Sequence, residues 1–149
     1  MKNKLLKKTM KNAYIENVMM WIVIFTSFVW MFFFVIDYAS IVRVNDNMNA
    51  MADYSANRIA REGSSIRSDA NFLQNLNDMS VKTVANIEED DIVCSTDENG
   101  AFQVIFEVET TNNDYKFYDA GKLISKRVVF NDTGTSDTIS CKLTITLSQ

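Results

Sequence analysis

Residues 18–36 read VMMWIVIFTSFVWMFFFVI, 19 positions without a charge, a glycine or a proline, held between Glu16 and Asp37. Nothing else limits the chain so strongly. About 20 apolar residues rising 1.5 Å each cross the roughly 30 Å hydrocarbon layer as a helix, whereas a signal-peptide core is usually about 7–15 residues and ends at small residues. Here Asp37-Tyr38-Ala39-Ser40 follow, a poor cleavage site. Thr26 and Ser27 can return their hydroxyls to carbonyls one turn earlier, so neither breaks the span. The expectation is a single transmembrane helix over 18–36.

Its flanks carry opposite charge. Residues 1–17 hold five lysines (Lys2, Lys4, Lys7, Lys8, Lys11) against Glu16, net +4, and the rest holds 10 basic and 18 acidic residues, net −8. Positive flanks stay in the cytoplasm. The chain therefore divides into a cytoplasmic basic leader (1–17), the span (18–36), an extra-membrane helical stalk (37–63) and an extracytoplasmic head (64–149). In a bacterium this is a single-pass inner-membrane protein with a periplasmic or extracellular C-terminal domain. An acidic exterior argues against nucleic acid as a partner, because phosphate binding needs clustered cations.

In an oxidising compartment the only two cysteines, Cys94 and Cys141, are expected as a disulfide. The absence of histidine removes Ser–His and Cys–His nucleophile pairs and imidazole metal ligands. No metal site, cofactor or catalytic residue is assigned, and the chain is not read as an enzyme.

The helical pattern continues beyond the span. Ile41, Val44, Met48, Met51, Ser55 and Ile59 fall on one stripe, with Ala50, Ala52, Ala56 and Ala60 beside it and no glycine before Gly63. One helix from about Ala13 to Glu62, ending at a left-handed Gly63 cap, is expected. Its stripe must pack either on its own head or in a bundle with other copies. A second helix is expected over 68–84, with Ser68 as N-cap and Phe72, Leu73, Leu76 and Met79 on one face. The period then changes to two: Ile92 and Cys94, then Phe102 to Val108, Lys126 to Phe130, and Cys141 to Leu147, with Tyr115–Tyr118 a weaker strand. Turns are expected at 97–100, 111–114 and 131–134. The fold class is α+β: a long transmembrane helix running into a stalk, a short second helix and a small antiparallel sheet whose cysteines tie its two ends together.

Several constellations have plain readings. Glu88-Glu89-Asp90-Asp91 is a hydrated connection before the first strand, since like-charge blocks stay solvated. Residues 132–137 make a hairpin loop. Glu107 and Glu109 share the polar face of one strand as two surface acids. Glu16 stays open between an interfacial acid near Lys11 and an acid neutralised by another subunit's cation, such as a terminal amine.

The basic leader, Ala13-Tyr14-Ile15-Glu16, the apolar helix continuing as a polar one, Ala60-Arg61-Glu62-Gly63 at its end and the cysteine-bearing strands resemble the TadE/TadF-like minor pseudopilins of the tight-adherence (Flp, type IVb) pilus system. That resemblance implies a prepilin peptidase cutting between Lys11 and Asn12, with Lys11 where the family carries glycine, and Glu16 as the fifth residue of the mature chain. It implies assembly with pilin-like subunits, or with copies of itself, through the helix. The competing expectation is an uncleaved scaffold or sensor subunit of an envelope complex with a coiled-coil stalk.

Overall fold

From Lys2 to Gly63 the sequence offers no helix breaker, and one helix uses the whole interval. A computed structural model describes residues 2–80, 86–98, 100–111 and 121–147, with the side chains of the first helix from Tyr14 onward. In it α1 spans Lys2–Glu62, 61 residues, or about 90 Å at 1.5 Å per residue. The apolar segment is long enough to cross a membrane and none of it is buried within the protein. Thr26 and Ser27 donate to the carbonyls of Ile22 and Val23, so the span carries no unsatisfied hydroxyl.

At Gly63 the backbone takes φ +83° with ψ 176°, a positive-φ extended conformation and not the left-handed helical cap expected. Only glycine adopts it without strain. Gly63 N–H still closes on the Ile59 carbonyl at 2.8 Å, and the Ala60 carbonyl accepts from Asp132 N–H at 2.9 Å, so the helix end is satisfied by the head. A 3-10 turn follows at Ser64–Ser68. It moves the next N-cap by one residue: Asp69, not Ser68, caps α2 (Ala70–Met79), its carboxylate accepting from Asn71 N–H at 2.8 Å, while the Ser68 hydroxyl turns back to Ser65. The expected continuation over 81–84 lies outside the described residues.

Four strands complete the head: β1 (Ile92–Asp97), β2 (Gln103–Thr110), β3 (Ile124–Phe130) and β4 (Thr138–Ile145). Their order is β1-β4-β2-β3, and the sheet is mixed, because the central pair β2 and β4 run parallel. The turn signals at 97–100 and 131–134 do reverse the chain, but neither closes a hairpin. The first connection steps over the start of β4 and the second over the start of β2. A Cβ on Gly100 would overlap Thr138, which is why glycine occupies that crossing. Residues 112–114 of the middle turn and the Tyr115–Tyr118 strand lie outside the described residues.

One sheet face is the core. Val104, Phe106 and Val108 of β2 and Ile139, Cys141, Leu143 and Ile145 of β4 pack against Val44, Met48, Met51, Ala52, Ala56 and Ile59 of α1. Phe72 and Leu76 of α2 close its side, with Tyr54 stacked on Phe72 at 5.8 Å between ring centroids. The stalk stripe is thus consumed by the chain's own sheet. Cys94 and Cys141 are bonded, but they join edge strand β1 to its immediate neighbour β4 and do not tie the two ends of the sheet as expected.

Candidate functional site

The sequence points to α1, and the head divides that helix into two unlike halves. From Ile41 onward the stripe residues are buried, whereas the side chains of residues 14–36 are all exposed. The head is fixed along the second half by polar links that run in one direction. Ser125 Oγ donates to Asn49 Oδ1 at 2.6 Å, Arg127 pairs with Asp53 at 2.8 Å, and Asp132 reaches Ala60. β3 therefore runs parallel to α1, and loop 131–137 sits at the end farthest from the apolar segment. No local sequence signal marks these links, because each partner is an ordinary polar residue until the tertiary fold brings the two together.

Glu16 is exposed on α1, two residues before the apolar run. Ile41, where the head begins to cover the helix, is 25 residues farther on, about 38 Å along the axis. Among the described residues no group of the head reaches Glu16. Lys11 and Asn12 lie within α1, and their side chains fall outside the described residues. The side chains between Val18 and Ile36 are likewise exposed.

The outer sheet face carries a second group of charges that the sequence undervalued. Glu109 is only 7% exposed, and its carboxylate takes Lys122 at 2.5 Å and Lys142 at 2.7 Å. Glu107 lies 4.0 Å from Lys142 on the same face. The two acids are therefore not simple surface groups. Hydrogen bonds from Lys122 and then Lys142 hold the Glu109 carboxyl below its usual value, outweighing the desolvation that pushes it up. The same contact raises the Lys142 ammonium. Parallel pairing creates this cluster by placing Glu107 opposite Lys142, an arrangement that an antiparallel meander would not produce.

The acidic run before β1 is a short 3-10 turn, Glu89–Asp91, and Asp91 accepts from Glu88 N–H at 2.9 Å. Asn77 of α2 holds the preceding residue: its side chain accepts from Ile87 N–H at 2.7 Å and donates to the Ile87 carbonyl at 3.1 Å. Residues 132–137 form a crossover whose turn is built by Asn131, which accepts from Thr133 N–H and donates to the Asp137 carbonyl.

No family model, curated protein or solved structure matches this chain. The geometry alone therefore carries the functional reading. It consists of an apolar half whose side chains over 14–36 are exposed and a second half built into a disulfide-bonded head.

Proposed function

We propose that this chain is a membrane-anchored, pilin-like structural subunit of a bacterial envelope apparatus, of the minor pseudopilin kind, acting by helix packing and assembly and not by catalysis. The observation that carries the reading is the division of α1: one continuous helix whose apolar half is exposed and whose polar half is already buried in its own head. Such a helix can be stored in a bilayer and then transferred to other apolar helices without unfolding the head. The lysine-rich leader supports a cytoplasmic N-terminus. The Cys94–Cys141 bond supports a periplasmic or extracellular head. In this reading Glu16 neutralises a neighbouring subunit's amine and sets the axial register, a role that its exposure on α1 supports. The scaffold reading with a coiled-coil stalk has less support, since the stripe it would use is covered.

The test is the intact mass of the native, membrane-extracted protein without reductant, beside incorporation of Glu16→Ala. A chain lacking residues 1–11, with a Glu16→Ala variant that inserts but does not assemble, is expected. A full-length chain whose Glu16→Ala variant assembles normally would remove the pilin-like role and leave an uncleaved scaffold.

A further inference from the structure

We propose that two copies of this chain pack the outer faces of their sheets together about a two-fold axis that runs along β2 and β3, normal to the membrane. The inference rests on the membrane anchoring proposed above, but not on leader processing or on Glu16. α1 lies behind β2 and β3. On the opposite, outer face the same two strands pair Gln103 with Phe130, Ile105 with Val128 and Glu107 with Lys126. Val128 is 50% exposed and Phe130 80%. Single apolar residues on a surface are ordinary, whereas a contiguous exposed group marks a contact site. The group is extended at its membrane-distal end by Phe102, 50% exposed, whose carbonyl accepts from Asn131 N–H at 2.9 Å. Phe102 is held there at φ +50°, a conformation that bulky residues rarely take. Thr111 and Gly121, on either side of the β2–β3 connection, lie at the other end of these strands.

Anchoring restricts how a second copy can meet this face. Of the possible two-fold axes, only one normal to the bilayer keeps both anchors inserted in the same direction. β3 follows α1 from Ser125 beside Asn49 to Arg127 beside Asp53. With α1 upright in the bilayer, an axis along it therefore also runs along the β2/β3 pair, and rotation about that axis brings the two outer faces together with their strands aligned. Aligned sheets pack about 10 Å apart at an angle set by their twist. Each α1 stays behind its own sheet, so the heads make the contact and leave both spans open to other helices. Such an isologous contact closes on itself as a dimer.

The face is self-complementary about this axis, and that selects a second copy as the occupant. A two-fold rotation placed between β2 and β3 sets each β3 residue over the β2 residue of its own row, so the register within one sheet becomes the pairing between copies. Val128 then meets Ile105 of the second copy, Lys126 meets its Glu107, and each contact occurs twice. Lys126 is exposed with no ion-pair partner among the described residues, and Glu107 lies 4.0 Å from Lys142, so both have capacity for a new pair. One row farther from the membrane, Phe130 covers Gln103 beside Phe102. One row nearer, Ile124 comes over Glu109, whose charge Lys122 and Lys142 already neutralise. The fit is closest in the two rows at the axis, Ile105/Val128 and Glu107/Lys126, because sheet twist splays the corners.

The test uses full-length protein reconstituted alone in bilayers as a mixture of isotopically light and heavy copies, with Phe130→p-benzoylphenylalanine as the photoreactive probe. Mixed-label adducts between position 130 of one copy and residues 102–105 of another are expected. Lys126→Glu and Glu107→Lys each set like charges across the axis, and each alone should lower the adduct yield about tenfold. Mixing the two variants should restore it, in adducts that join one copy of each, because both pairs between copies are then opposite in charge. Damage confined to one copy's fold would not be repaired by mixing. Absence of mixed-label adducts, adducts on other faces, yields indifferent to the reversals, or losses that mixing does not restore would overturn the proposal. Glu16→Ala carrying the same probe separates the two readings. Normal assembly of that variant with retained adducts removes only the pilin-like role, and failed assembly with no adducts in either protein removes only the face contact.

Discussion

Cys94 and Cys141 are direct register partners on β1 and β4, their Cα atoms 4.0 Å apart across an antiparallel pair, and their bond is the covalent tether of a strand whose one sheet neighbour among the described residues is β4. The bond closes a separation of 47 residues, for which the chain-entropy model gives about 4 kcal/mol of stabilisation. Cys94→Ser/Cys141→Ser is therefore expected to lower the head's unfolding free energy by up to that amount in urea titration. Amide exchange should rise first in β1. An unchanged urea midpoint would show that β1 is held by packing alone.

Glu109 gives the head an acid limb. Its folded carboxyl titrates below its unfolded value because Lys122 and Lys142 hydrogen-bond the ionised form. A depressed folded value means that the contribution is complete above the unfolded carboxylate's value, about 4.3, and is lost as pH falls through the lower folded value. Glu109→Gln should flatten stability against pH below about 4.3 while leaving the fold intact. Urea midpoints measured from pH 6 down to pH 3 check this, and an unaltered acid slope in the variant would assign the limb to other carboxylates.

Much of this architecture is legible from residues because it is set locally. The span follows from 19 uncharged positions, the stalk stripe from helical spacing and the strands from alternation, and each appears in the structure at nearly the expected residues. The pairing of strands is not local. Asp97–Gly100 and Asn131–Gly134 have the turn chemistry of hairpins, and sequence alone assigns them hairpins. The fold uses the same reversals to cross over β4 and β2, because β2 and β4 pair in parallel at the centre. The Glu109 cluster was hidden for the same reason: Lys142 lies on β4 and Lys122 on the segment leading into β3, and only the strand order brings them to one carboxylate.

The crossover makes Gly100 and Gly134 unequal. A methyl group at Gly100 would collide with Thr138, whose hydroxyl also accepts from Ala101 N–H at 2.9 Å, so the neighbour cannot move without losing that bond. Gly100→Ala is expected to cost about 1–3 kcal/mol as an overpacking change. Gly134 has open space around it but φ +83°, so alanine there costs only its left-handed strain, about 1–2 kcal/mol. Because the clash includes the Cβ and backbone nitrogen of Thr138 as well as its hydroxyl, Thr138→Ala should not rescue Gly100→Ala, and it should leave Gly134→Ala unaffected, which double-mutant cycles measure.

Finally, the two halves of α1 should respond differently to the same substitution. Met48 is buried against the sheet and Met31 is exposed in the apolar half. Met48→Ala should destabilise the head by about 2–5 kcal/mol, and Met31→Ala should leave its unfolding midpoint unchanged. Ser55 sharpens the comparison, because it lies fully buried on the same stripe with a hydroxyl that has no hydrogen-bond partner among the described residues. Ser55→Ala removes that polar atom and favours the helix, so it should stabilise the head by about 1 kcal/mol. Denaturant titrations of the three variants in the same detergent make the comparison. A stabilised Ser55→Ala beside a weakened Met48→Ala would place the stripe inside the head, whereas three equal midpoints would mean that the stalk stands apart from it and leaves its stripe open to other helices.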